Sequence, residues 1–421
     1  MYVTLIYIYI SIYILIFCDN LCHGNQISDQ TALINMALQA LSHGVNAFSL
    51  NVTSVLIDST KDQHENIFVS PFSISILLMM ISMGSTPNSR THRQIMSGLG
   101  LDYNTNLHSN FKSLLNSISS NPSVSLDNFG LFDKNKVDES SSVFQDFKSN
   151  IENLYSGDIW SVDFRNNGRG IQTRVNDRVK EKTHGQISKT IQEPFDPLTI
   201  GLLLNVIHFK GRWEDPFDPE FTSPGDFYFS DGKTNTVPFM TKTARYPISR
   251  IKVNNLEATA IRLGYTNQSS MIIVSPNETE LKEFVREKET LKKTIESSVK
   301  QLYSRETRGT KISLKIPKFT LKKNMVLNHV LISLGITDMF DERSADLKRI
   351  SEDICISQVS QDTVIKVNEE GTEASAASKA DISYRSMPME LIVDKPFLFL
   401  IREDRYGTIL FIGVVNGIPV N

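Results

Sequence analysis

Glu369-Glu370-Gly371-Thr372-Glu373-Ala374-Ser375-Ala376-Ala377 is the stretch that decides how this chain is read. It follows a β-branched run, Thr363-Val364-Ile365-Lys366-Val367, and precedes a segment that holds no proline and no further glycine up to Arg385. At strand period the residues from Thr372 to Arg385 separate by face. One face carries Thr372, Ala374, Ala376, Ser378, Ala380, Ile382 and Tyr384, with no charge. The other carries Glu373, Ser375, Ala377, Lys379, Asp381, Ser383 and Arg385, which hold every charge in the segment. Very small side chains at the start of the uncharged face suit a strand that slips between two others over a packed core. A surface loop has no need of that pattern. The segment is expected to be a loop in one state and a central strand in another.

Other motifs accompany it in a fixed order. Asn66-Ile67-Phe68-Val69-Ser70-Pro71-Phe72-Ser73-Ile74 opens an apolar run, and Thr183-His184-Gly185-Gln186-Ile187 closes a polar one. Asn205-Val206-Ile207-His208-Phe209-Lys210-Gly211-Arg212-Trp213 and Asp394-Lys395-Pro396-Phe397-Leu398-Phe399, with Gly413-Val414-Val415, complete the set. Together with the small-residue stretch, these resemble the shutter, covering-helix turn, breach and closing strands of the serpins, from about Asn66 to the end of the chain. The resemblance implies an α+β fold: a large central mixed β-sheet, two further sheets, surrounding helices and an exposed reactive-centre loop over residues 369–390. It implies an inhibitor of the inhibitory type, with no catalysis of its own.

Several residue roles follow from the resemblance. The hinge is Glu369, Glu370, Gly371, Thr372, Glu373, Ala374, Ser375, Ala376 and Ala377, with Gly371 supplying a turn and Glu369 or Glu370 meeting a lysine. Shutter and breach positions are Ser70, Ser73, Asn205, Trp213 and Gln361. The scissile bond of inhibitory members lies fourteen residues beyond the hinge glycine, which places it at Arg385-Ser386. The distance forward to Lys395-Pro396-Phe397 agrees. An arginine there suits the buried carboxylate of a trypsin-like serine protease through a bidentate pair. Two positions depart from the family's pattern: Gln361 stands where histidine is frequent, and Arg178 where the covering helix often carries tryptophan. The alternative function is a non-inhibitory serpin acting as a carrier or chaperone, although such members usually have a degraded hinge.

The expected mechanism draws on stored strain. Insertion of Thr372 to about Ile382 between two strands would form on the order of ten backbone hydrogen bonds, each worth ~0.5–1.5 kcal/mol net. A strand from Thr372 to Arg385 spans about 45 Å at ~3.3 Å per residue, enough to carry a tethered protease far from its starting face.

Length and composition agree with a single large domain. The 421 residues show no Pro/Gly/Ser-rich linker, charge block or repeat at which to divide them, and 40% are apolar. A net charge of −3 gives no bulk attraction to nucleic acid or to an anionic membrane. Met1 to Phe17 is apolar and uncharged, which reads as an export signal, with cleavage between Cys18 and Asn25. The domains are then a signal peptide over 1–24 and one domain over 25–421, secreted and monomeric, with no membrane association after processing. An uncleaved anchor is the alternative. Cys355 is expected to be a buried thiol. Three sequons, at Asn51, Asn267 and Asn277, are candidate glycan acceptors.

No cofactor or metal is expected. The chain has no G-x-S-x-G elbow, no HExxH, no C-x-x-C and no phosphate-binding glycine loop, and the histidines are scattered. Asp102-Tyr103-Asn104-Thr105-Asn106 begins like a calcium loop but lacks its glycine and its final glutamate. A basic run from Lys282 to Lys323, with Arg286, Lys292, Lys293, Lys300, Arg305, Arg308 and Lys311, raises a sulfated glycosaminoglycan as a partner. Glu283, Glu287, Glu289 and Glu296 interrupt it, which favours a solvated helix face.

Helices are expected over Thr31 to Asp58, Ser73 to Met83 (apolar nearly all round, hence buried) and Ile171 to Thr183. Strands are expected over Leu202 to Phe209, Met271 to Val274, Lys311 to Ile316 and Thr363 to Val367. Leu391 to Arg402 and Thr408 to Val415 are expected to form an antiparallel pair. Helices first and strands later argue α+β.

Overall fold

The computed structural model describes residues 2–418 apart from 61, 63, 105, 122, 278–279, 305–308 and 372–387, with side chains followed from Thr31 onward. Among the described residues, helices gather in the first half and three sheets dominate the rest. The N-terminal helix Tyr2–Ser59 runs well beyond the expected Thr31 to Asp58 and buries Leu38, Leu41, Val45, Phe48 and Val52. No described helix is long and apolar enough to cross a membrane.

The buried helix is Pro71–Gly84, and of its side chains only Met83 is partly exposed. Proline at its first position lacks the N–H that would be orphaned there, so it starts the helix without cost. This helix packs against both Gly201–Phe209 and Ile409–Val415, and so lies between two sheets.

The first of those sheets has six strands in the order Ile67–Val69, Ile409–Val415, Phe397–Glu403, Ser269–Pro276, Leu256–Tyr265 and Ile248–Val253. Alternation serves two cores at once. Met271, Ile273, Phe399 and Ile401 face the main core, while Ile272, Val274, Leu398 and Leu400 face helix Lys288–Leu302 through Leu291 and Ile295.

The second sheet has five strands in the order Phe319–Val326, Gln358–Val367, Gly201–Phe209, Val124–Asp133 and Asp158–Val162. Its inner face contributes Leu203, Ile207, Phe209, Val359 and Ile365 to the main core. Its outer face presents Phe129, Leu131, Leu202, Leu204, Val206 and Val364 to helix Phe164–Lys182 through Ile171, Val175 and Val179. That covering helix starts seven residues before the expected Ile171, with a non-helical Asn167 (φ −132°, ψ 27°) near its start.

The third sheet has four strands in the order Met389–Ile392, Thr310–Pro317, Thr234–Tyr246 and Thr222–Tyr228. It corrects one expectation. The run Leu391 to Arg402 is not one strand: Met389–Ile392 pairs parallel with Thr310–Pro317, whereas Phe397–Glu403 pairs antiparallel with Ile409–Val415. Pro396 has no N–H to give to a ladder, so the chain leaves one sheet and starts in another across it.

The basic run is a second correction. Its described part divides among helices Leu281–Val285 and Lys288–Leu302 and strands Thr310–Pro317 and Phe319–Val326, the strands belonging to different sheets, so it is not one helix face. Lys318, Lys322 and Lys323 are spent on Glu369, the Gln186 carbonyl and Glu65. Arg305 and Arg308 lie outside the described residues.

Candidate functional site: a seam in the five-stranded sheet

Gln358–Val367 and Gly201–Phe209 run parallel to one another, in register from Gln358 opposite Leu202 to Ile365 opposite Phe209. A chain that turns back at the end of Gln358–Val367 would be antiparallel to both, and antiparallel pairing is slightly the more stable of the two ladders. The residues at that end form the turn. Gly371 has φ of +80° and its N–H donates to the Asn368 carbonyl at 3.2 Å. A Cβ there would sit 2.2 Å from the Gly211 oxygen and 2.5 Å from the Trp213 nitrogen. Only glycine fits, by conformation and by space. Gly371 is a packing requirement as well as a turn.

The hinge is held at the sheet's end by Trp213. Its backbone N–H donates to the Glu370 carbonyl at 3.2 Å and its indole Nε1 to the Asn368 carbonyl at 2.9 Å. The indole is buried and stacks on Tyr265 with centroids 4.3 Å apart, so it serves the core and the hinge together. Phe217 N–H donates to the Glu369 carbonyl at 2.8 Å. The Glu369 carboxylate accepts from Thr222 Oγ1 at 2.9 Å and pairs with Lys318 Nζ at 2.9 Å. Burial opposes its ionisation, but these donors and the lysine charge outweigh burial and hold it below the usual carboxylate range. Lysine meets Glu369; for Glu370 the structure records the main-chain bond to Trp213.

Midway along the seam lies a buried polar network. Gln361 and Asn205 are opposite one another across it. Gln361 Oε1 accepts from Ser70 N–H at 3.0 Å, and its Nε2 donates to the Ser70 carbonyl (2.9 Å), Ser73 Oγ (2.8 Å) and Asn205 Oδ1 (3.1 Å). Ser73 Oγ donates to Asn205 Oδ1 at 2.7 Å, and Asn205 Nδ2 to Asn128 Oδ1 at 2.8 Å. Ser70 Oγ donates to the Leu410 carbonyl at 2.7 Å, which links the network to the six-stranded sheet. Glutamine therefore ties two strands to the start of the buried helix through one amide, a task its donor and acceptor suit, and Asn205 extends the tie to Asn128 on a third. The Gln361–Asn205 bond is one that a third strand in the seam would have to break.

Arg178 is the other departure. Its guanidinium makes a bidentate pair with Asp127, both contacts at 2.6 Å, and reaches Asp158 at 2.6 Å. It also lies 5.1 Å from the Phe129 ring and 5.3 Å from that of Trp160. The covering helix is fixed to two strands by charge where the family often uses an indole. Asp127 and Asn128, the partners of Arg178 and Asn205, belong to none of the motifs. Both lie in Val124–Asp133, a strand whose mixed polar and apolar pattern does not mark it in the sequence.

The sequons differ in setting. Asn51 lies within helix Tyr2–Ser59, and the Thr53 of its sequon is buried with its hydroxyl donating to the Ser49 carbonyl. Asn267 is half-buried and its amide donates to Ser123 Oγ. Asn277 is exposed, and its Oδ1 accepts from Thr259. Cys355 is buried and unbridged, and burial raises its thiol pKa. Among the described residues no group of three or more His, Cys, Asp or Glu could hold a metal ion. Thr372, Glu373, Ala374, Ser375, Ala376, Ala377, Arg385 and Ser386 lie outside the described residues.

The chain is similar to known proteins over most of its length. A family model described as Serpin (serine protease inhibitor) matches residues 43–418. An alpha-1-antitrypsin-like protein of Tamias sibiricus is 30% identical over 381 residues, 88% of this chain and 87% of that one. Serpin A3-1 of Bos taurus is 31% identical over 396 residues, 93% and 92% of the two chains. Among solved structures, native protease nexin-1 with heparin aligns with a TM-score of 0.77 at 26% identity, covering 90% of this chain and 100% of that one. Human glycosylated kallistatin aligns with a TM-score of 0.78 at 25% identity, covering 90% and 98%.

Proposed function

Because this chain belongs to the serpin family, whose members are protease inhibitors rather than catalysts, we propose that it traps trypsin-like serine proteases at Arg385-Ser386. The attacked Arg385 carbonyl forms an acyl-enzyme. The freed strand from Thr372 then enters the seam between Gln358–Val367 and Gly201–Phe209 and drags the protease away before water completes hydrolysis. One observation carries this reading: the parallel seam ends in a hinge whose Gly371 is wedged against Gly211 and Trp213, next to the stretch with an uncharged small-residue face. A new strand there would exchange one parallel ladder for two antiparallel ones, worth roughly 10 kcal/mol in added backbone bonds.

Secretion is supported by the uncharged run Met1 to Phe17, and Asn277 is the sequon most open to a glycan. A sulfated glycosaminoglycan is a second ligand class, raised by the heparin present in the protease nexin-1 structure. With its basic residues spread over separate elements, retention on heparin should be weak and lost with added salt.

The test is to mix the protein with trypsin. A complex that survives denaturant, and a clipped form that melts well above the intact one, are the expected results. Cleavage with neither would favour the carrier or chaperone alternative. Thr372→Arg should convert inhibitor into substrate, since a charge would have to enter the core first.

A further inference from the structure

Next to Gln361 on the same strand, with its side chain on the opposite face, stands Asp362. It is opposite Asn324 on one side and Val206 across the seam, and Val206 is in turn opposite Asp127. Alternation puts Asp362 on the outer face, beneath the connector that follows the covering helix. It is 3% exposed. Asn324 Nδ2 donates to Oδ1 at 2.7 Å, whereas Oδ2 is buried with no hydrogen-bond partner. The buried Thr190 hydroxyl bears on the same carboxylate without closing a hydrogen bond of its own. A carboxylate in this position is a buried charge with half its acceptors unmet.

The surroundings make the group mechanical. The covering helix is anchored by Arg178 to strands on one side of the seam, as described above. Its connector reaches the other side, where Asn324 Nδ2 donates to the Thr190 carbonyl at 3.4 Å and Lys322 Nζ to the Gln186 carbonyl at 2.8 Å. Helix and connector thus straddle the seam, and Asn324 holds both the connector and Asp362. A cavity of about 500 Å³, lined among others by Thr190, Asn324 and Ser360, adjoins this point and would let water in when the connector lifts.

We propose that Asp362 is a pH-sensitive catch on the seam: protonated it keeps the connector down and the sheet closed, ionised it favours parting of the strands. The proposal rests on the insertion reading above. Burial raises the Asp362 pKa to about 6, with Asn324 and Thr190 pulling the other way. Lys322 and His208 stand two positions along from Asn324 and Val206 on the strands either side, Arg178 pairs with Asp127 one strand beyond, and the connector carries His184, Lys189, Glu193 and Asp196. Lys322 and Arg178 are engaged as described, and burial holds His208 at about 4, neutral over the range that matters. The sign follows directly. In the closed sheet the carboxyl keeps its proton up to about 6, whereas hydration on opening returns it toward its ordinary value near 3.8, so opening is promoted as pH rises through that window. Complete hydration would raise the opened fraction about tenfold between pH 5 and pH 7.5.

The experiment is protease-free. Uptake of a synthetic peptide with the sequence TEASAASKADIS by the full-length protein is followed on native gels between pH 5 and pH 7.5. Wild type should take it up up to tenfold faster at pH 7.5. Asp362→Asn should be pH-independent and slow throughout. Thr190→Val, which removes the neighbouring hydroxyl that favours the ionised form, should move the midpoint upward and serves if Asp362→Asn does not fold. A flat wild-type profile, or a slope that persists in Asp362→Asn or does not move in Thr190→Val, overturns the catch. No uptake at any pH would instead count against the insertion reading itself.

Discussion

Gly371→Ala is the sharpest perturbation the structure offers. The residue holds φ of +80°, a conformation that costs a residue with a Cβ ~1–2 kcal/mol. The new methyl would lie 2.2 Å from the Gly211 oxygen, 2.5 Å from the Trp213 nitrogen and 2.6 Å from the Arg212 Cα, all backbone atoms with no rotamer to yield. The hinge must retreat. At stake are the bonds to the Glu370 carbonyl at 3.2 Å, the Glu369 carbonyl at 2.8 Å and the Asn368 carbonyl at 2.9 Å. Losing two of them at ~1 kcal/mol each brings the total to about 3–4 kcal/mol. With unfolding entropy near ~2.1 cal/mol/K per residue, a chain of 421 residues loses about 1 °C for each kcal/mol, so Tm should fall by about 3–4 °C. Calorimetry of intact and clipped protein measures this. The clipped variant should melt with the clipped wild type, because its hinge has left the Gly211–Trp213 wedge. An intact variant melting within about 1 °C of wild type would refute the packed hinge.

Three further outcomes are expected. Gln361→Leu keeps the volume but leaves the buried Ser70 N–H without its acceptor and cuts the seam tie to Asn205; it should lose about 3 kcal/mol in urea titration and lose inhibitory activity faster on storage at 37 °C, and unchanged values would remove Gln361 from the shutter. Arg178→Leu strands the buried Asp127 and should cost about 3–5 kcal/mol, most of it recovered when Asp127→Leu is added; a double variant as unstable as the single would contradict the ion-pair account. Burial, with smaller contributions from His92 and Arg349, depresses the His108 pKa to about 4. The folded value lies below the ordinary 6.5, so its share of stability is complete above that pH and is lost as pH falls toward 4, by at most about 3 kcal/mol. His108→Gln should flatten that part of a urea-midpoint profile between pH 4 and pH 7.

Much of the site was legible early because it is written in local terms. Gly371 stood out because glycine answers a backbone need, and Ser70, Ser73 and Asn205 because the motifs that hold them resemble the family's shutter. Other parts were hidden in half-buried strands. Thr234–Tyr246, Leu256–Tyr265 and Ile248–Val253 mix polar and apolar residues with one face to solvent, and their short-range pattern did not separate them from loops. Nothing in the local pattern singles out Asp127 or Asp362, because aspartate is ordinarily exposed. Burial under the covering helix makes the first a partner for Arg178 and the second a strained carboxyl.

By itself the order of residues determined the α+β class, the buried helix and the alternating small-residue pattern after Gly371, because propensity and periodicity act within a few residues. Tertiary structure alone decided that Gln358–Val367 and Gly201–Phe209 meet in parallel, that Gln361 faces Asn205 across them, and that Lys318 meets Glu369. Those partners lie 156 and 51 positions apart in the chain. Pairing at such separations depends on the packing of whole sheets, which short-range patterns do not encode.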